Sequence, residues 1–428
     1  MRSSPLPHAV CLLASLGPGC APPRSVGTPV LALDDSHPTV IIATWSDSDC
    51  VLHWGVDSMD REATGGTADL YGLAADTTAS AQVDCAGTRG GIATITTGGV
   101  PGTVPTLDVI SPLETTLAES YILTSGIAAE GHSVLLISDL DGKPVWWADA
   151  GMYVFPDPHY DPECECVYGV SWDDREDNDS LFVAPLAGPP QSYPVQGAHH
   201  DSLALGDGVY LVTRTEIQTV DGVLIAGDVL SVFDTRSGAL TDVWDAFDQL
   251  EIVQNDGWQL LTPEGAADWT HATGLDRDPA TGKIYLSLYF DESILQIDPT
   301  TWQTDWVLGG PQSDFEVPER FGPQHTPRFR DGVLWMFDNG SDVSAGSGPA
   351  AYEVDPDAMV ATKVWSWAPE PAMFELVLGS VVPYDDAKLT SWGNTPEVRI
   401  LLPDDTEGAR YALRGAMGIG YTSFVNMP

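Results

Sequence analysis

Residues 268–289, "DWTHATGLDRDPATGKIYLSLY", hold the pattern from which the architecture of this chain is inferred. A histidine lies near the start of the segment, a strand-like apolar run follows, and an Asp/Gly turn leads into a second apolar run. Further copies of this pattern occur at 197–214, 321–340 and 376–394. The landmark residues of the four copies are His200, His271, His325 and Gly379, which lie 71, 54 and 54 residues apart. A period of roughly fifty residues, with two strand-like runs and a turn per unit, is typical of a β-propeller.

A second repeated pattern predicts the outer part of each unit. It places an aspartate near the end of an apolar run, then a turn, then a tryptophan seven to ten residues beyond the aspartate. Aspartate suits such a turn because its carboxylate accepts hydrogen bonds from nearby backbone N–H groups. The pairs are Asp139 and Trp146, Asp234 and Trp244, Asp298 and Trp306, and Asp355 and Trp365. Weaker copies at 183–195 and 401–413 bring the count to six. The chain is therefore predicted to be all-β with a six-bladed β-propeller, seven blades being the alternative.

This arrangement predicts where the histidines of the repeats lie. The innermost strands of a propeller point one end at the central channel, so three of the four copies bring a histidine to one place. The only credible helical period covers 240–253, which we interpret as a loop insertion over one end of the propeller.

The N-terminal part is predicted to contain an export signal and a small separate domain. Residues 1–20 combine Arg2, a short apolar run and small residues before Cys20, which resembles a bacterial lipoprotein signal in which Cys20 becomes the lipidated first residue. Ordinary signal cleavage is the alternative. Either process implies export, to the periplasm or as a membrane-anchored lipoprotein. No later apolar run approaches the ~20 residues needed to span a bilayer.

The domain boundaries follow from composition. After a linker at 21–37, short strand-like runs at 38–98 predict a fibronectin-III-like β-sandwich. A Gly/Pro-rich linker at 99–106 precedes the predicted propeller, which occupies 107–428.

Charge and cysteine content restrict the partners and the compartment. The chain has 18 Lys+Arg against 62 Asp+Glu, a formal net charge of −44. Such a surface repels nucleic acid and anionic lipid; it favours solvation in a salty or calcium-rich medium, with a cationic partner as the alternative. Disulfides persist after export, so Cys50 and Cys85 are predicted to pair. Cys164 and Cys166 lack further ligands at zinc-binding spacing, which favours a local disulfide or two free thiols.

Two of the copies carry a family resemblance. Residues 268–310 and 321–340, with tryptophan, histidine, double glycine and "FDNG" in order, resemble the bacterial arylsulfate sulfotransferases, and "HHDSLAL" is similar to an upstream histidine segment of that family. The resemblance extends from about Gly131 to Asn394. It implies transfer of a sulfuryl group from an aryl sulfate to a phenol, independent of PAPS, through a sulfated histidine.

The resemblance also implies roles for individual residues. His325 matches the nucleophile, and His271 and His200 match the histidines that bind the sulfate and handle the phenolic proton. Imidazole chemistry agrees with this, since a neutral imidazole is nucleophilic and a second one can act as general acid. No metal or organic cofactor is required. Strand alternation lets one of His199 and His200 face the channel; we favour His200 and keep His199 as a substrate-binding candidate.

The chain departs from the family at one position. Where the family has an arginine that grips the sulfate, this chain has Tyr289, which supplies one donor and no charge. Alignment of the repeats places Arg214 at the equivalent point one unit earlier, from which it could reach the same anion; the alternative is an arginine paired with surface carboxylates. His159 is a further channel candidate.

Three functions remain open from the sequence. The first is the sulfotransferase, with small-molecule aryl sulfate and phenol as partners. The sequence is also compatible with a homo-oligomer. The second is a catalytically inactive propeller that binds a ligand or a protein. The third is a sulfate or phosphate ester hydrolase. Asp338 and Asn339 in "FDNG" are interpreted as a turn before Gly340, with calcium binding as the alternative.

Overall fold

A computed structural model describes residues 25–114, 117, 120–128, 131–152, 157–171, 179–340, 346–384 and 387–428. Cys20 and the predicted signal at 1–20 lie outside the described residues. By the density of its contacts the chain divides into two compact units. The first consists of Met1–Leu31, Ala43–Ala68 and Ala79–Ile95, and the second of Ala32–Ile42, Asp69–Thr78 and Thr96–Pro428.

The N-terminal strands alternate buried and exposed residues, as expected of antiparallel sheets with one covered face. They are β1 (Val30–Leu33), β2 (Ile41–Thr44), β3 (Val51–Gly55), β4 (Arg61–Ala63), β5 (Thr67–Leu70), β6 (Thr78–Cys85) and β7 (Thr88–Thr96). They form two sheets with the strand orders β1-β2-β5 and β4-β3-β6-β7. Within the predicted linker at 21–37, the apolar run Val30–Leu33 pairs in a sheet as β1. The first unit holds the predicted Cys50–Cys85 disulfide, which is present.

Twenty-six further strands follow. They are β8 (Thr106–Ser111), β9 (Tyr121–Ala128), β10 (His132–Ser138), β11 (Pro144–Met152), β12 (His159–Asp161), β13 (Cys166–Ser171), β14 (Ser180–Pro185), β15 (Gln191–Pro194), β16 (Ala198–Gly206), β17 (Val209–Val220), β18 (Val223–Asp234), β19 (Ala239–Asp245), β20 (Ala267–Asp268) and β21 (Ala272–Arg277). The list continues with β22 (Ile284–Leu288), β23 (Ser293–Asp298), β24 (Gln303–Gly309), β25 (Gln324–Arg330), β26 (Val333–Asp338), β27 (Gly348–Asp355), β28 (Val360–Ser366), β29 (Ser380–Tyr384), β30 (Ala387–Trp392), β31 (Glu397–Leu401), β32 (Glu407–Arg414) and β33 (Ala416–Val425).

All of these strands but β20 form six antiparallel sheets that follow one another along the chain, and the short β20 pairs in parallel with β18. Their orders are β33-β9-β10-β11, β12-β13-β14-β15, β16-β17-β18-β19, β21-β22-β23-β24, β25-β26-β27-β28 and β29-β30-β31-β32-β8. The C-terminal strand β33 supplies the first strand of the sheet that β9 begins in sequence.

The first strands of successive sheets contact one another, and the contacts close on themselves. Strand β16 contacts β21, β21 contacts β25, β25 contacts β29, and β29 contacts β33. Strand β33 contacts the start of the β12 sheet, where the rings of Tyr421 and His159 stack with centroids 5.3 Å apart. Strand β13 in turn contacts β16. The first strands of the six sheets, together with β13, therefore form a closed series of contacts within the second unit.

The predicted Asp…Trp pattern joins the third and fourth strands of four sheets. Asp234, Asp298 and Asp355 end β18, β23 and β27, and each carboxylate accepts a backbone N–H bond two residues on. The tryptophans lie on the fourth strands and reach the next sheet. The Trp244 indole N–H donates to Thr304 Oγ1 on β24 at 3.0 Å, and that of Trp146 donates to Leu186 O at 3.2 Å. The core consequently lies between adjacent sheets, where such aromatic side chains are buried.

Helical structure among the described residues is confined to one helix, α1 (Ala246–Gln249), and a 3-10 helix (Asp256–Gln259). Both lie in or beside the segment with the helical period, and Asp245 caps α1 by accepting the Phe247 N–H bond. Cys164 and Cys166 form a disulfide. Of the helices in the described ranges, none is long and apolar enough to cross a membrane.

Candidate active site

The starts of three neighbouring first strands line one cavity of about 900 Å³ in the second unit. Its wall includes His200 of β16, His271 immediately before β21, and His325 of β25. Apolar side chains form much of the rest, among them Phe290 and Phe374. A cavity of this size accommodates a drug-sized aromatic ligand.

The backbone at these starts explains how the side chains are aimed. His200, His271 and Thr326 have φ values of 56°, 55° and 51°, in the left-handed region that non-glycine residues rarely adopt. In each of the three sheets the pairing register shifts at or beside this residue, as in a β-bulge, which turns a side chain out of the regular alternation. The strain is repeated at the same point of three sheets, a distribution expected of a functional site.

His325 is held as a neutral imidazole with its lone pair on Nε2. The amide nitrogen of Asn339 donates to Glu375 O at 3.0 Å and Leu378 O at 2.9 Å, which orients Asn339 Oδ1 as an acceptor. His325 Nδ1 lies 2.7 Å from that oxygen and must donate to it. The backbone N–H of Leu378 donates to His325 Nε2 at 3.2 Å. Burial lowers the pKa of His325 to about 4, so the ring is uncharged near neutral pH.

His271 and His200 lie beside each other, with ring centroids 4.8 Å apart. His271 Nδ1 is 2.7 Å from Asp268 Oδ2, and this carboxylate therefore orients the ring. The Tyr289 ring bridges the site, with its centroid 6.0 Å from that of His271 and 5.3 Å from that of His325. Burial, followed by the neighbouring histidines, holds the pKa of His200 well below its usual value.

His199 is not on the cavity wall and contacts His200 from behind. Its Nδ1 is 2.8 Å from His200 Nδ1, and its Nε2 is 2.9 Å from Asp228 Oδ1. Both His199 and Asp228 are buried, at 7% and 2% exposure. The expectation that His199 binds substrate directly is not supported by this placement, because His200 stands between it and the cavity.

The arginine predicted to bind the sulfate does not lie at the cavity. Arg214 Nη1 lies 2.8 Å from Asp242 Oδ1 and its Nε donates to Gln196 O, and Arg214 is not on the wall. Arg214 therefore pairs with a carboxylate, as the alternative predicted for an acid-rich chain. The expectation that Arg214 replaces the sulfate-binding arginine missing at Tyr289 is not supported. Tyr289 is on the wall, but its hydroxyl donates to Leu376 O at 2.5 Å. Tyr289 therefore holds the segment Leu376–Leu378 over His325.

Arg320 is the single arginine, with no lysine, among the described residues of the cavity wall. It is exposed and makes no hydrogen bond or ion pair within the described part of the chain. The wall also carries the carboxyls of Asp157 and Asp291, and burial raises the pKa of both. A raised carboxyl pKa reduces the negative charge that an entering anion would meet.

Several residues of the site are not predicted from the sequence. Asn339 was interpreted as part of a turn, and Asp338 does accept the backbone N–H bonds of Gly322 and Gly340 as expected of one. Asp228, Leu378 and Arg320 had no signal in the sequence. The Asp268 carboxylate, three residues before His271, is visible in "DWTH", and this spacing could have indicated the pairing.

His159, the further channel candidate, lies against Asp201, with Nε2 2.6 Å from Oδ1, and not on the described cavity wall. Across the described ranges, no group of three or more His, Cys, Asp or Glu is arranged to hold a metal ion.

An all-β chain that gathers three histidines on one cavity has a site suited to histidine-based group transfer. Residues 109–393 match the model of the arylsulfotransferase (ASST) family. This match covers two thirds of the chain, and the chain belongs to the arylsulfotransferase family, as the resemblance predicted. No curated protein sequence matches it.

Several solved structures resemble the chain at low identity. A nidogen/laminin complex has 11% identity and a TM-score of 0.47, over 72% of this chain and 100% of that chain. The periplasmic gluconolactonase PpgL of Pseudomonas aeruginosa has 12% identity and a TM-score of 0.42, over 72% and 100%. An auxiliary nutrient binding protein from Bacteroides ovatus has 10% identity and a TM-score of 0.39, over 94% and 92%.

Proposed function

We propose that this protein is a sulfotransferase that moves a sulfuryl group from an aryl sulfate to a phenol through a sulfated His325, and that its six sheets are the blades of a six-bladed β-propeller preceded by a fibronectin-III-like domain. The observation that carries the catalytic proposal is the state of His325. Two amide hydrogen bonds orient Asn339, Asn339 orients the imidazole, and the lone pair is on Nε2, at the cavity. A neutral imidazole with a directed lone pair is a competent nucleophile.

The reaction proceeds in two balanced halves. In the first, His325 Nε2 forms a bond to sulfur while the bond from sulfur to the aryl oxygen breaks. His271 or His200, protonated from solvent as the anionic aryl sulfate binds, donates that proton to the departing phenoxide. In the second, an acceptor phenol oxygen bonds to sulfur, the S–N bond breaks, and the phenolic proton returns to the same histidine. The first half needs the segment Leu376–Leu378 to withdraw, because Leu378 N–H occupies the attacking lone pair beforehand, and this hydrogen bond re-forms only after the S–N bond has broken in the second half.

The transferred group carries negative charge on three oxygens and requires fixed donors or a cation. We assign this role to Arg320, since it is the permanent cation of the described wall and has no carboxylate partner there. In a chain of net charge −44, an unpaired arginine on a cavity wall is a strong indication of an anionic ligand. Its neighbour Phe321 is buried, which fixes the backbone from which the guanidinium extends.

The central experiment is incubation with 4-nitrophenyl sulfate and a phenol, followed by mass spectrometry of the protein. We expect nitrophenol release that depends on the acceptor, a sulfo group on His325, and loss of both in His325→Asn. His132→Asn, a half-exposed histidine paired with Asp149, is the matched control and should retain activity. Release without acceptor would indicate an ester hydrolase, and no release by a folded protein that still binds the sulfate would indicate an inactive binding protein.

The arginine assignment is tested by KM for the aryl sulfate. A lost charge-assisted contact is worth about 1.5–3 kcal/mol, so Arg320→Gln should raise KM by roughly 10- to 100-fold with little change in kcat. Arg214→Gln removes an equal charge from an arginine paired elsewhere and should leave KM unchanged. The opposite result, a sharp rise in KM for Arg214→Gln alone, would assign sulfate binding to Arg214 instead.

The compartment is also a proposal. The Cys50–Cys85 and Cys164–Cys166 disulfides favour an oxidising environment, which agrees with export to the periplasm. Lipidation at Cys20 is proposed from the sequence pattern alone, and radiolabelled fatty acid incorporation that is lost in Cys20→Ser would test it.

A further inference from the structure

Asp228 is a buried carboxylate that reaches two of the strand starts. It lies on β18, and its Oδ2 accepts the backbone N–H bond of Ala272 at 2.8 Å and the hydroxyl of Thr270 at 2.5 Å, both beside His271. Its Oδ1 lies 2.9 Å from His199 Nε2. Burial alone would raise the pKa of Asp228, but the bonds from His199 and Thr270 outweigh it and hold the pKa below its usual value. The group is therefore an ionised carboxylate, which only accepts hydrogen bonds.

The proton positions of the two histidines follow from this carboxylate. A lone pair on His199 Nε2 would be repelled by the ionised Asp228 oxygen 2.9 Å away, so this nitrogen carries the proton of the ring. In neutral His199 the other nitrogen, Nδ1, is then an acceptor. The contact of 2.8 Å between the two Nδ1 atoms needs one proton, which must belong to His200. The basic nitrogen of His200 is consequently Nε2.

We infer that His199 and Asp228 form a proton relay behind His200, an inference that rests on the proposed sulfuryl transfer. When His200 Nε2 takes the proton of the acceptor phenol, the proton on His200 Nδ1 passes to His199 Nδ1. The positive charge then resides on His199, next to the negative charge of Asp228. In the half-reaction that releases the phenoxide, one proton taken up from solvent as the anionic aryl sulfate binds has first put the relay in this charged form. His200 Nε2–H then gives its proton to the departing phenoxide, and the proton on His199 Nδ1 returns to His200 Nδ1. His199 and Asp228 are positioning residues, since neither touches the substrate.

The surroundings favour a charge on His199 over a charge on His200. His200 faces His199, His271 and His325, and a charge on His200 is disfavoured first by burial and then by these histidines. His199 faces His200 on one side and the Asp228 carboxylate on the other. Asp228 faces His199, and His271 also lies near enough to influence it. A proton that moves from His200 to His199 therefore takes the positive charge away from the other histidines and places it beside the negative charge of Asp228.

The relay makes a prediction that a purely structural role would not. 4-Nitrophenoxide leaves without a proton more readily than phenoxide, so loss of the relay should slow poor leaving groups selectively. In His199→Phe we expect kcat for phenyl sulfate to fall by roughly 100-fold and kcat for 4-nitrophenyl sulfate by less than about fivefold, with KM for both nearly unchanged. Asp228→Asn should show the same selectivity.

His159→Phe is the matched control. His159 and Asp201 form a neighbouring histidine–aspartate pair. Within the described structure, no contact between His159 and His200 is seen. The Phe ring keeps the stacking on Tyr168 and Tyr421. This variant should leave the ratio of the two kcat values as it is in the parent protein. An equal loss for both sulfates in His199→Phe would overturn the relay.

A second readout does not depend on turnover. Nitrogen-15 NMR of histidine side chains distinguishes the two neutral tautomers, and we expect Nε2–H for His199 and Nδ1–H for His200. In His199→Phe, His200 should lose this restriction and populate both tautomers, in a protein whose thermal melting shows that it is folded. Nε2–H in the parent His200 would overturn the relay even if sulfuryl transfer were demonstrated. Absence of sulfuryl transfer with the expected tautomers would instead reject the proposed function.

Discussion

The starts of β16 and β25 use the same backbone and give their histidines opposite partners. Each contains a left-handed residue, His200 in one and Thr326 in the other, and a register shift beside it. At β25 the imidazole is backed by the neutral amide of Asn339, whereas at β16 it is backed, through His199, by the carboxylate of Asp228. An amide fixes a neutral ring, and a carboxylate stabilises a protonated one. In the proposed mechanism, the partner behind the ring therefore separates the nucleophile from the proton carrier on equivalent strands.

The strongest way to break this comparison is Asn339→Asp, which gives His325 the kind of partner that His199 has. The carboxylate would face the carbonyls of Glu375 and Leu378 in place of two amide donors. We expect the free energy of unfolding to fall by about 4 kcal/mol, the range for an uncompensated buried charge. Urea unfolding measures this loss.

The same variant should also alter the pH profile. A carboxylate at His325 Nδ1 raises the pKa of the ring from about 4 towards or above its usual value, so the acid limb of kcat should move to higher pH. Gln296→Glu is the control, because it also exchanges an amide for a carboxylate, loses one bond from the amide to the Tyr285 hydroxyl, and lies off the described cavity wall. An acid limb that stays in place in Asn339→Asp would contradict the role given to the amide.

A slightly smaller effect is expected in the pH dependence of stability. The pKa of His325 is about 4 in the folded protein against 6.5 for the unperturbed group, so the unfolded chain binds more protons between these values. The stability that the neutral ring contributes is complete above pH 6.5 and is lost as the pH falls through about 4. The free energy of unfolding of the parent protein should drop by about 3 kcal/mol more than that of His325→Gln over this window.

Urea unfolding of both proteins from pH 7 to pH 4 measures this difference. Burial also lowers the pKa of His37 and His200. His37 is common to the two proteins and cancels, and so does the burial that is the main cause of the shift at His200, to which His325 contributes least. A difference that stays constant with pH would mean that His325 is not held neutral by its site.

The smallest expected effect concerns the segment that covers His325. Tyr289→Phe removes the hydroxyl bond to Leu376 O, worth about 1 kcal/mol. Hydrogen exchange at Leu376–Leu378 should therefore become roughly fivefold faster, while exchange on β25 stays unchanged. An unchanged rate at the segment would show that Tyr289 does not hold it.

How much of this molecule could be predicted depends on the distance in sequence over which each contact acts. The sheets and their outer turns follow from local patterns, because Asp234 and Trp244 are ten residues apart on adjoining strands. The meeting of His200 and His271 followed from the repeat. Asn339 pairs with a histidine 14 residues away, and Leu378 with the same ring from 53 residues away. No periodicity encodes such partners, since they depend on which loop covers the strand start.

Arg214 illustrates the same limit. The alignment of the repeats is consistent with its position opposite Ala198 at the start of β16. Its side chain, however, turns to Asp242, a choice set by the excess of acid in the chain and not by the repeat.

The hydrogen bond from Leu378 N–H to His325 Nε2 has a consequence for chemical selectivity. Without substrate, the lone pair of His325 Nε2 is already engaged, so acylating reagents and other electrophiles meet a blocked nitrogen. Only a ligand that occupies the cavity and displaces the segment Leu376–Leu378 unmasks it. Leu376 and Val377 are 60% and 42% exposed, and a broad apolar ligand that covers them recovers the energy of opening. A small electrophile that reaches the cavity does not cover these side chains and cannot displace the segment. The hydrogen bond therefore selects for a substrate large enough to open it.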